Sequence, residues 1–174
     1  FIQAYFNERN LRELYRQRAE ILEAELLRHG APLAHVFPTG DADKSPARIR
    51  LGVLAGQFGA QTETYFTLAH IERLPREHCT LTLYCHEAPR DAVSRHVAGI
   101  ADEVVVLSGD DLHAGVERIR ADDLDCLLIS SNVTTVASAV ALLACFGSRG
   151  CRSFPPVLRS PRDSPVPTGG WARS

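Results

Sequence analysis

The chain contains no methionine among its 174 residues, so Phe1 is not a translational start and we expect a fragment of a longer protein. No apolar run approaches the roughly 18 residues of a bilayer-spanning helix. The first nine residues lack the basic-then-apolar order of a signal peptide. These absences predict a cytoplasmic protein with no membrane partner. A net charge of −2 gives no electrostatic reason to expect nucleic acid as a partner.

Metal-binding and nucleotide-binding motifs are missing as well. The five cysteines form no C-x-x-C pair and the seven histidines form no H-x-x-x-H pair. We therefore expect buried thiols in a reducing compartment and no metal. The segment Gly52–Gly59 lacks the G-x-G-x-x-G fingerprint, and neither a P-loop nor a G-x-S-x-G elbow occurs. No cofactor and no catalytic residue follow from the sequence.

An amphipathic helix opens the chain. Apolar residues recur at three- and four-residue steps between Leu11 and Leu26, which predicts a helix over residues 1–29 that ends at Gly30 and Pro32. Residues 30–47 are rich in proline, glycine and charge and predict a linker. From Gly147 onward, 19 of 28 residues are Pro, Arg, Gly or Ser, which predicts an irregular C-terminal tail over 147–174.

Between residues 48 and 146, short apolar strands alternate with helices of about ten residues. This pattern predicts an α/β fold, a Rossmann-like parallel sheet with helices on both faces. The predicted strands are Ile49–Ala55, Thr80–Cys85, Glu103–Leu107 and Asp125–Ser130. The predicted helices are Glu63–Leu74, Pro89–Ala98, a helix that follows residues 108–111 and runs to about Arg120, and Thr134–Phe146.

Ligands of such sheets bind at the carboxyl ends of the strands. That rule directs attention to the turns after the first and fourth strands. Two alternatives stay open, because the glycines also suit a tight turn and the polar residues also suit helix capping. His86, after the second strand, lies at the same end but also suits a surface or core position. The candidate substrate-binding residues are Gln57, Gly59, Gln61, Thr62, Glu63, Ser131, Asn132 and Thr134.

Three blocks of sequence resemble one known family. They are R-I-R-L-G-V-L-A-G-Q-F-G at 48–59, G-V-E-R-I-R-A-D-D-L-D-C-L-L-I at 115–129 and A-L-L-A-C-F at 141–146. Their order and spacing resemble the catalytic region of the SPINDLY-type O-linked N-acetylglucosamine transferases. The helix at 1–29 is similar to the tetratricopeptide-like or connecting helices that precede that region.

The resemblance implies the N-terminal half of a GT-B glycosyltransferase. Such an enzyme transfers a sugar, here expected from UDP-N-acetylglucosamine, to a Ser or Thr hydroxyl of a protein acceptor without a metal. The second half holds most of the nucleotide-sugar donor, so we expect this chain to be inactive alone. The chain departs from the family pattern at three places. Gln61-Thr62 replaces a His-Pro pair, Gln57 replaces an Asp, and residues 131–134 replace a G-H/Y-T turn.

The family also predicts the sequence R-L-A-x-V-Q-V after Phe146. Residues 147–153 can be encoded by bases that, read one nucleotide earlier, give R-L-A-R-V-Q-V. We therefore hypothesise that 147–174 is a frameshift product, which the codons of the gene decide; a native disordered tail is the alternative.

Two other functions are compatible with the sequence. One is a small α/β binding or signalling module that is complete in itself. A receiver domain is a weak version of it, since Leu54–Gly56 offers no acid. The other is a scaffold in which the helix at 1–29 mediates self-association.

Overall fold

The structure, a computed structural model, describes residues 8–31, 33, 48–131 and 139–147. The predicted linker and tail lie almost wholly outside the described residues. In chain order the described elements are α1 (Arg12–Arg28), β1 (Ile49–Leu54), α2 (Thr62–Ile71), β2 (Cys79–Cys85), α3 (Ala92–Ile100), β3 (Glu103–Val106), α4 (Leu112–Ala121), β4 (Cys126–Ile129) and α5 (Ala139–Gly147).

The four strands form one parallel sheet in the order β3-β2-β1-β4. The α/β prediction is therefore confirmed, and each predicted strand lies within one residue of the observed bounds. The start of α3 is a correction. Pro89 suits a first helical position, but the helix begins three residues later, after Asp91. The Asp91 carboxylate accepts from the Ser94 backbone N–H at 2.8 Å, and the Ser94 hydroxyl accepts from the Asp91 N–H. This capping box fixes the helix start more strongly than the proline does.

Alternate residues of the central strands point to opposite faces, and helices cover both faces. Val53 and Leu83 pack under α2 and α3, whereas Leu54 and Tyr84 pack under α4 and α5. β1 is buried only in its carboxyl half, and Ile49 at its start is 46 % exposed. The carboxyl ends of β1 and β2 are thus anchored in the core, and the loops that follow them have a rigid base.

Helix α1 meets its predictions in part. It begins at Arg12, and residues 8–11 are not helical, so the predicted start of the helix is wrong. It ends at Arg28, and Gly30 with φ +76° turns the chain as only glycine does readily. The Gln17 side-chain amide donates to the Glu13 carboxylate at 3.0 Å. No residue of α1 is buried, however, and only Leu26 packs against the core beside α5. Three large apolar side chains of α1 are exposed: Leu14, Ile21 and Leu27.

No helix among the described residues is long and apolar enough to cross a bilayer. The four cysteines that the structure describes lie where the sequence places them, on β2 (Cys79 and Cys85), β4 (Cys126) and α5 (Cys145), and all are free thiols. Cys151 lies outside the described residues. Burial raises the pKa of the Cys85, Cys126 and Cys145 thiols, which favours the inert protonated form.

Candidate functional site

The strand order creates a switch point between β1 and β4. From β1 the chain moves outward through β2 to β3, then crosses back to place β4 on the other side of β1. The loops after β1 and β4 therefore leave in opposite directions and open a crevice at the carboxyl edge. An open pocket of about 320 Å³ lies there, lined by Gly56, Gln57, Gln61, Glu63, His86, Glu87 and Ser131.

The turn after β1 forms one wall. The Gln61 backbone N–H donates to the Gly59 carbonyl at 2.9 Å, and its side-chain amide donates to the Gln57 carbonyl at 3.0 Å. Gln61 occupies the N-cap position of α2 but makes no side-chain cap. The capping alternative for this residue is therefore wrong. Its amide instead closes the turn and leaves polar atoms at the pocket.

The two glycines of this turn have different surroundings, and neither has a positive φ. A Cβ at Gly56 would meet no atom within 4 Å, so the backbone here faces open space. A Cβ at Gly59 would lie 3.0 Å from the Asp91 carboxylate. Gly59 is buried and allows the turn to pack against the loop before α3. Gly56 borders the pocket, whereas Gly59 supports it from behind.

Ser130 and Ser131 join β4 to this wall. The Ser131 hydroxyl accepts from the Gly56 backbone N–H at 3.2 Å. Ser130 is buried, where its hydroxyl is paired with that of Thr67 and lies 3.4 Å from the Glu63 carbonyl. These bonds tie the start of α2 to the end of β4, so the switch point is held by hydroxyl bridges.

His86 and Glu87 follow β2 and form the opposite wall. The His86 backbone N–H donates to the Gly56 carbonyl at 3.0 Å, and its ring Nδ1 lies 3.3 Å from the Leu107 carbonyl. A carbonyl only accepts, so the ring donates from Nδ1. Nε2 is buried and has no hydrogen-bond partner among the described residues. A buried polar atom without a partner costs about 1–3 kcal/mol.

The described lining of the pocket carries two negative charges and no Lys or Arg. Glu63 and Glu87 belong to the lining, and none of the seven lining residues is Lys or Arg. Both carboxylates are exposed, and the structure shows no ion pair for either within the described part of the chain. The same part contains no cluster of three or more His, Cys, Asp or Glu side chains that could hold a metal ion.

The structure brings four predicted site residues together around this pocket: Gln57, Gln61, Glu63 and Ser131. Gly59 and Thr62 belong to the same turn but do not line it. Asn132 and Thr134 lie outside the described residues. Glu87 was missed by the sequence prediction, and His86 was left out of the candidate set. Both residues follow β2 directly, and this position at the carboxyl end of a strand is the sequence feature that could have identified them.

The comparisons with known proteins support the fold. A solved structure of a mutant O-GlcNAc transferase from Thermobaculum terrenum matches with a TM-score of 0.51 and 22 % sequence identity. The match covers 64 % of this chain and 22 % of that chain. No protein-family model matches, and no curated protein matches. The sheet and its helices are thus consistent with a Rossmann-like half of a GT-B fold.

Proposed function

We propose that this chain is the acceptor-side half of a GT-B protein O-glycosyltransferase. The reaction passes N-acetylglucosamine from UDP-N-acetylglucosamine to a Ser or Thr hydroxyl of a protein acceptor. One observation carries the proposal: a polar pocket lies at the switch point of a sheet whose fold is similar to that of an O-GlcNAc transferase. The chain spans 22 % of that protein's length, so the activity of a complete enzyme is part of the proposal.

The sequence blocks narrow the proposal to the SPINDLY type. The block at 48–59 supplies β1 and the first pocket turn, and the block at 115–129 supplies most of α4 and all of β4. Gln57 and Gln61 stand at two of the family positions from which this chain departs. Both line the pocket, so the departures affect binding chemistry directly.

The pocket suits binding better than chemistry. Amide, hydroxyl and carboxylate groups accept and donate hydrogen bonds to sugar or peptide hydroxyls. Among the described residues, the His86 ring is bonded to the Leu107 carbonyl and not to Glu63 or Glu87, so the pocket shows no bonded imidazole–carboxylate pair for acid–base work. The proposed role is therefore to hold an acceptor, while the donor is bound elsewhere in the complete enzyme.

A transfer assay and a titration test this proposal together. The 174-residue chain is incubated with labelled UDP-N-acetylglucosamine and a serine peptide, and we expect no turnover. The same peptide, added to ¹⁵N-labelled chain, is expected to shift the amide signals of Gly56, Gln57 and Ser131. A matched peptide with alanine in place of serine is the control. Turnover by the chain alone would refute the half-enzyme proposal, and equal shifts with both peptides would refute acceptor binding.

The second candidate is a self-contained α/β binding or signalling module. It is favoured by the position of the pocket, which is lined by residues that follow three strands of one sheet, β1, β2 and β4. Such a module binds its ligand with no requirement for a serine hydroxyl. The alanine control separates the two functions, because a module of this kind gives the same shifts with either peptide.

The third part of the proposal concerns helix α1. We propose that it is a tetratricopeptide-like connecting helix and that the protein is cytoplasmic. Its exposed Leu14, Ile21 and Leu27 also offer a surface for self-association. Sedimentation of the full chain against a chain that lacks residues 1–29 tests this. If the full chain and the shortened chain both sediment with the mass of a monomer, self-association through α1 is refuted.

A further inference from the structure

Gly56 lies where the walls of the pocket meet, and it belongs to the pocket lining. Its backbone N–H donates to the Ser131 hydroxyl after β4 at 3.2 Å, and its carbonyl accepts from the His86 backbone N–H after β2 at 3.0 Å. Since β2 and β4 flank β1 in the sheet, these two bonds tie Gly56 to both sides. The base of the pocket is therefore the backbone of a glycine.

The fold itself does not require glycine at this position. Among the described residues Gly30 is the glycine with a positive φ, so Gly56 lies outside the left-handed region that favours glycine. A Cβ at Gly56 would meet no described atom within 4 Å, whereas a Cβ at Gly52 would lie 2.5 Å from a side chain and one at Gly59 would lie 3.0 Å from a side chain. Neither strain nor crowding excludes alanine at Gly56. Alanine generally stabilises a chain at such a position, because it restricts the unfolded state.

A side chain at Gly56 would take up space inside the pocket. The residue is half-buried and lines the cavity, so a Cβ without neighbours lies in the cavity itself. The cavity volume of about 320 Å³ is at the small end of the range of about 300–1,000 Å³ for ligand pockets. One methyl group therefore matters here. Gly99 and Gly109 also have no atom near an added Cβ, but both are exposed and neither lines this pocket.

The backbone at this base also offers a hydrogen-bond acceptor. Within the described part of the chain the Gly56 carbonyl accepts one hydrogen bond, from the His86 N–H. A carbonyl oxygen has two lone pairs, so it accepts a second bond from a hydroxyl. A small hydroxyl-bearing group has room to approach over Gly56, and a Cβ at this position would occupy the same room.

We infer that Gly56 is a specificity-determining residue, and that the space over its backbone admits one small hydroxyl-bearing side chain, the serine of a peptide ligand. The choice of a peptide serine rests on the proposed function, whereas the open base rests on the geometry of Gly56. A side chain at position 56 and the central side chain of the ligand compete for the same space. Gly56 thereby limits the size of the ligand's central residue, and threonine, with one more methyl group, fits less well than serine.

Gly56→Ala and four five-residue peptides test this size limit on the full chain. The peptides have blocked ends and alanine at the flanking positions, and the central residue is glycine, alanine, serine or threonine. Affinities are measured by titration of the amide signals. An extra methyl group in a filled site weakens binding by about tenfold. We therefore expect Gly56→Ala to bind the serine peptide about tenfold less tightly than the unmodified chain does. The threonine peptide should lose more, and the glycine peptide, which leaves the space empty, should lose nothing.

Gly109→Ala is the matched control. It makes the same chemical change in the loop after β3, at an exposed position where an added Cβ also meets no atom within 4 Å. All four affinities should stay unchanged in this variant. An unchanged serine affinity in Gly56→Ala, or a loss as large for the glycine peptide as for the serine peptide, would overturn the inference.

These outcomes separate the inference from the proposed function. If the unmodified chain prefers serine to alanine and Gly56→Ala keeps the same affinities, acceptor binding stands and the inference is refuted. If the unmodified chain binds the serine and alanine peptides equally, and Gly56→Ala weakens both but spares the glycine peptide, the size limit stands and the acceptor function is refuted. A series that does not bind the unmodified chain refutes both.

The unmodified chain decides the inference if Gly56→Ala loses the native amide spectrum. The serine peptide must then bind more tightly than the threonine peptide and must shift the amide signal of Gly56. Equal affinities for these two peptides, or a Gly56 signal that does not move, would refute the inference.

Discussion

The two edges of the sheet differ in whether their charged side chains form ion pairs. At the amino edge, Arg50 pairs with Asp123 at 2.7 Å and with Asp125, and Arg76 pairs with Asp102 at 3.0 Å. At the carboxyl edge, Glu63 and Glu87 border an open pocket with no such pair within the described residues. Partly exposed pairs that also bond to backbone stabilise a fold, whereas unpaired charges around a cavity are available to a ligand.

We infer from this difference that the starts of the strands contribute to stability and that their ends contribute to ligand binding. Paired polar groups at strand starts lower the free energy of the folded chain. The exposed, unpaired carboxylates at strand ends contribute little to it, because water solvates them. The amino edge is therefore where we expect substitutions to unfold the chain. The carboxyl edge is where we expect them to change binding and leave the fold intact.

Substitution of Gly52 gives the largest expected effect. Gly52 lies inside β1, and an added Cβ would lie 2.5 Å from Leu124 Cδ1 and 3.0 Å from Tyr84 Cε2. The leucine methyl can rotate away, but the buried tyrosine ring is held by its hydroxyl, which donates to Asp122 at 2.5 Å. We expect Gly52→Ala to lower the free energy of unfolding by about 1–3 kcal/mol, measured by urea denaturation.

Gly56→Ala is the control for that prediction. It makes the same chemical change four residues later, at the pocket, where no atom lies within 4 Å. Its effect on stability should stay within about 0.5 kcal/mol. Equal losses for the two variants would contradict the contrast between a closed sheet interior and an open carboxyl edge.

Removal of a carboxylate from each edge is the next test. The Asp102 carboxylate accepts from the Leu81 N–H at 2.7 Å and from Arg76. Asp102→Ala leaves that N–H without its acceptor, so we expect a loss of about 1–3 kcal/mol in urea unfolding. Glu87→Ala removes a carboxylate at the carboxyl edge and should change stability by less than about 0.5 kcal/mol. A loss at Glu87 as large as that at Asp102 would contradict the comparison.

The sequence predicts the secondary-structure elements better than it predicts the pocket. The strands were located to within one residue, because apolar runs and turn residues are local signals. The predicted start of α3 is wrong, because Pro89 also suits a first helical position. The capping box of Asp91 and Ser94 sets the observed start at Ala92. Local sequence therefore predicts the strands well, but it predicts the starts of α1 and α3 and the end of α2 poorly.

The pocket required information that no local pattern contains. Gln57, Gln61, Glu63 and Ser131 were found because they follow β1 and β4 in sequence, where the fold class alone directs attention. Glu87 is added only when β2 is known to lie beside β1. The unpaired Nε2 of His86 depends on the carbonyl of Leu107, 21 residues away. Strand order and side-chain pairing depend on tertiary structure. The roles of Glu87 and His86 at the pocket therefore cannot be predicted from local sequence.

The smallest expected effect concerns Asp91, whose carboxylate caps α3 beside the turn that contains Gly59. The Ser94 backbone N–H, bonded to its carboxylate, holds the pKa of Asp91 below its ordinary value of 3.8. A depressed folded-state pKa means that the charged form stabilises the fold above about pH 3.8, and that this contribution disappears as pH falls through the folded-state pKa.

Asp91→Asn retains a capping oxygen but not the charge, so it isolates that contribution. The urea midpoint of the unmodified chain should exceed that of the variant at pH 7, and the gap should close as pH falls below 3.8. Titration of the other carboxyl groups occurs in both proteins and cancels in the difference. A gap that stays constant from pH 7 to about 2.5 would show that Asp91 acts through shape alone. The charge of Asp91 would then be one on which the fold does not depend, in contrast to the paired charges of the amino edge.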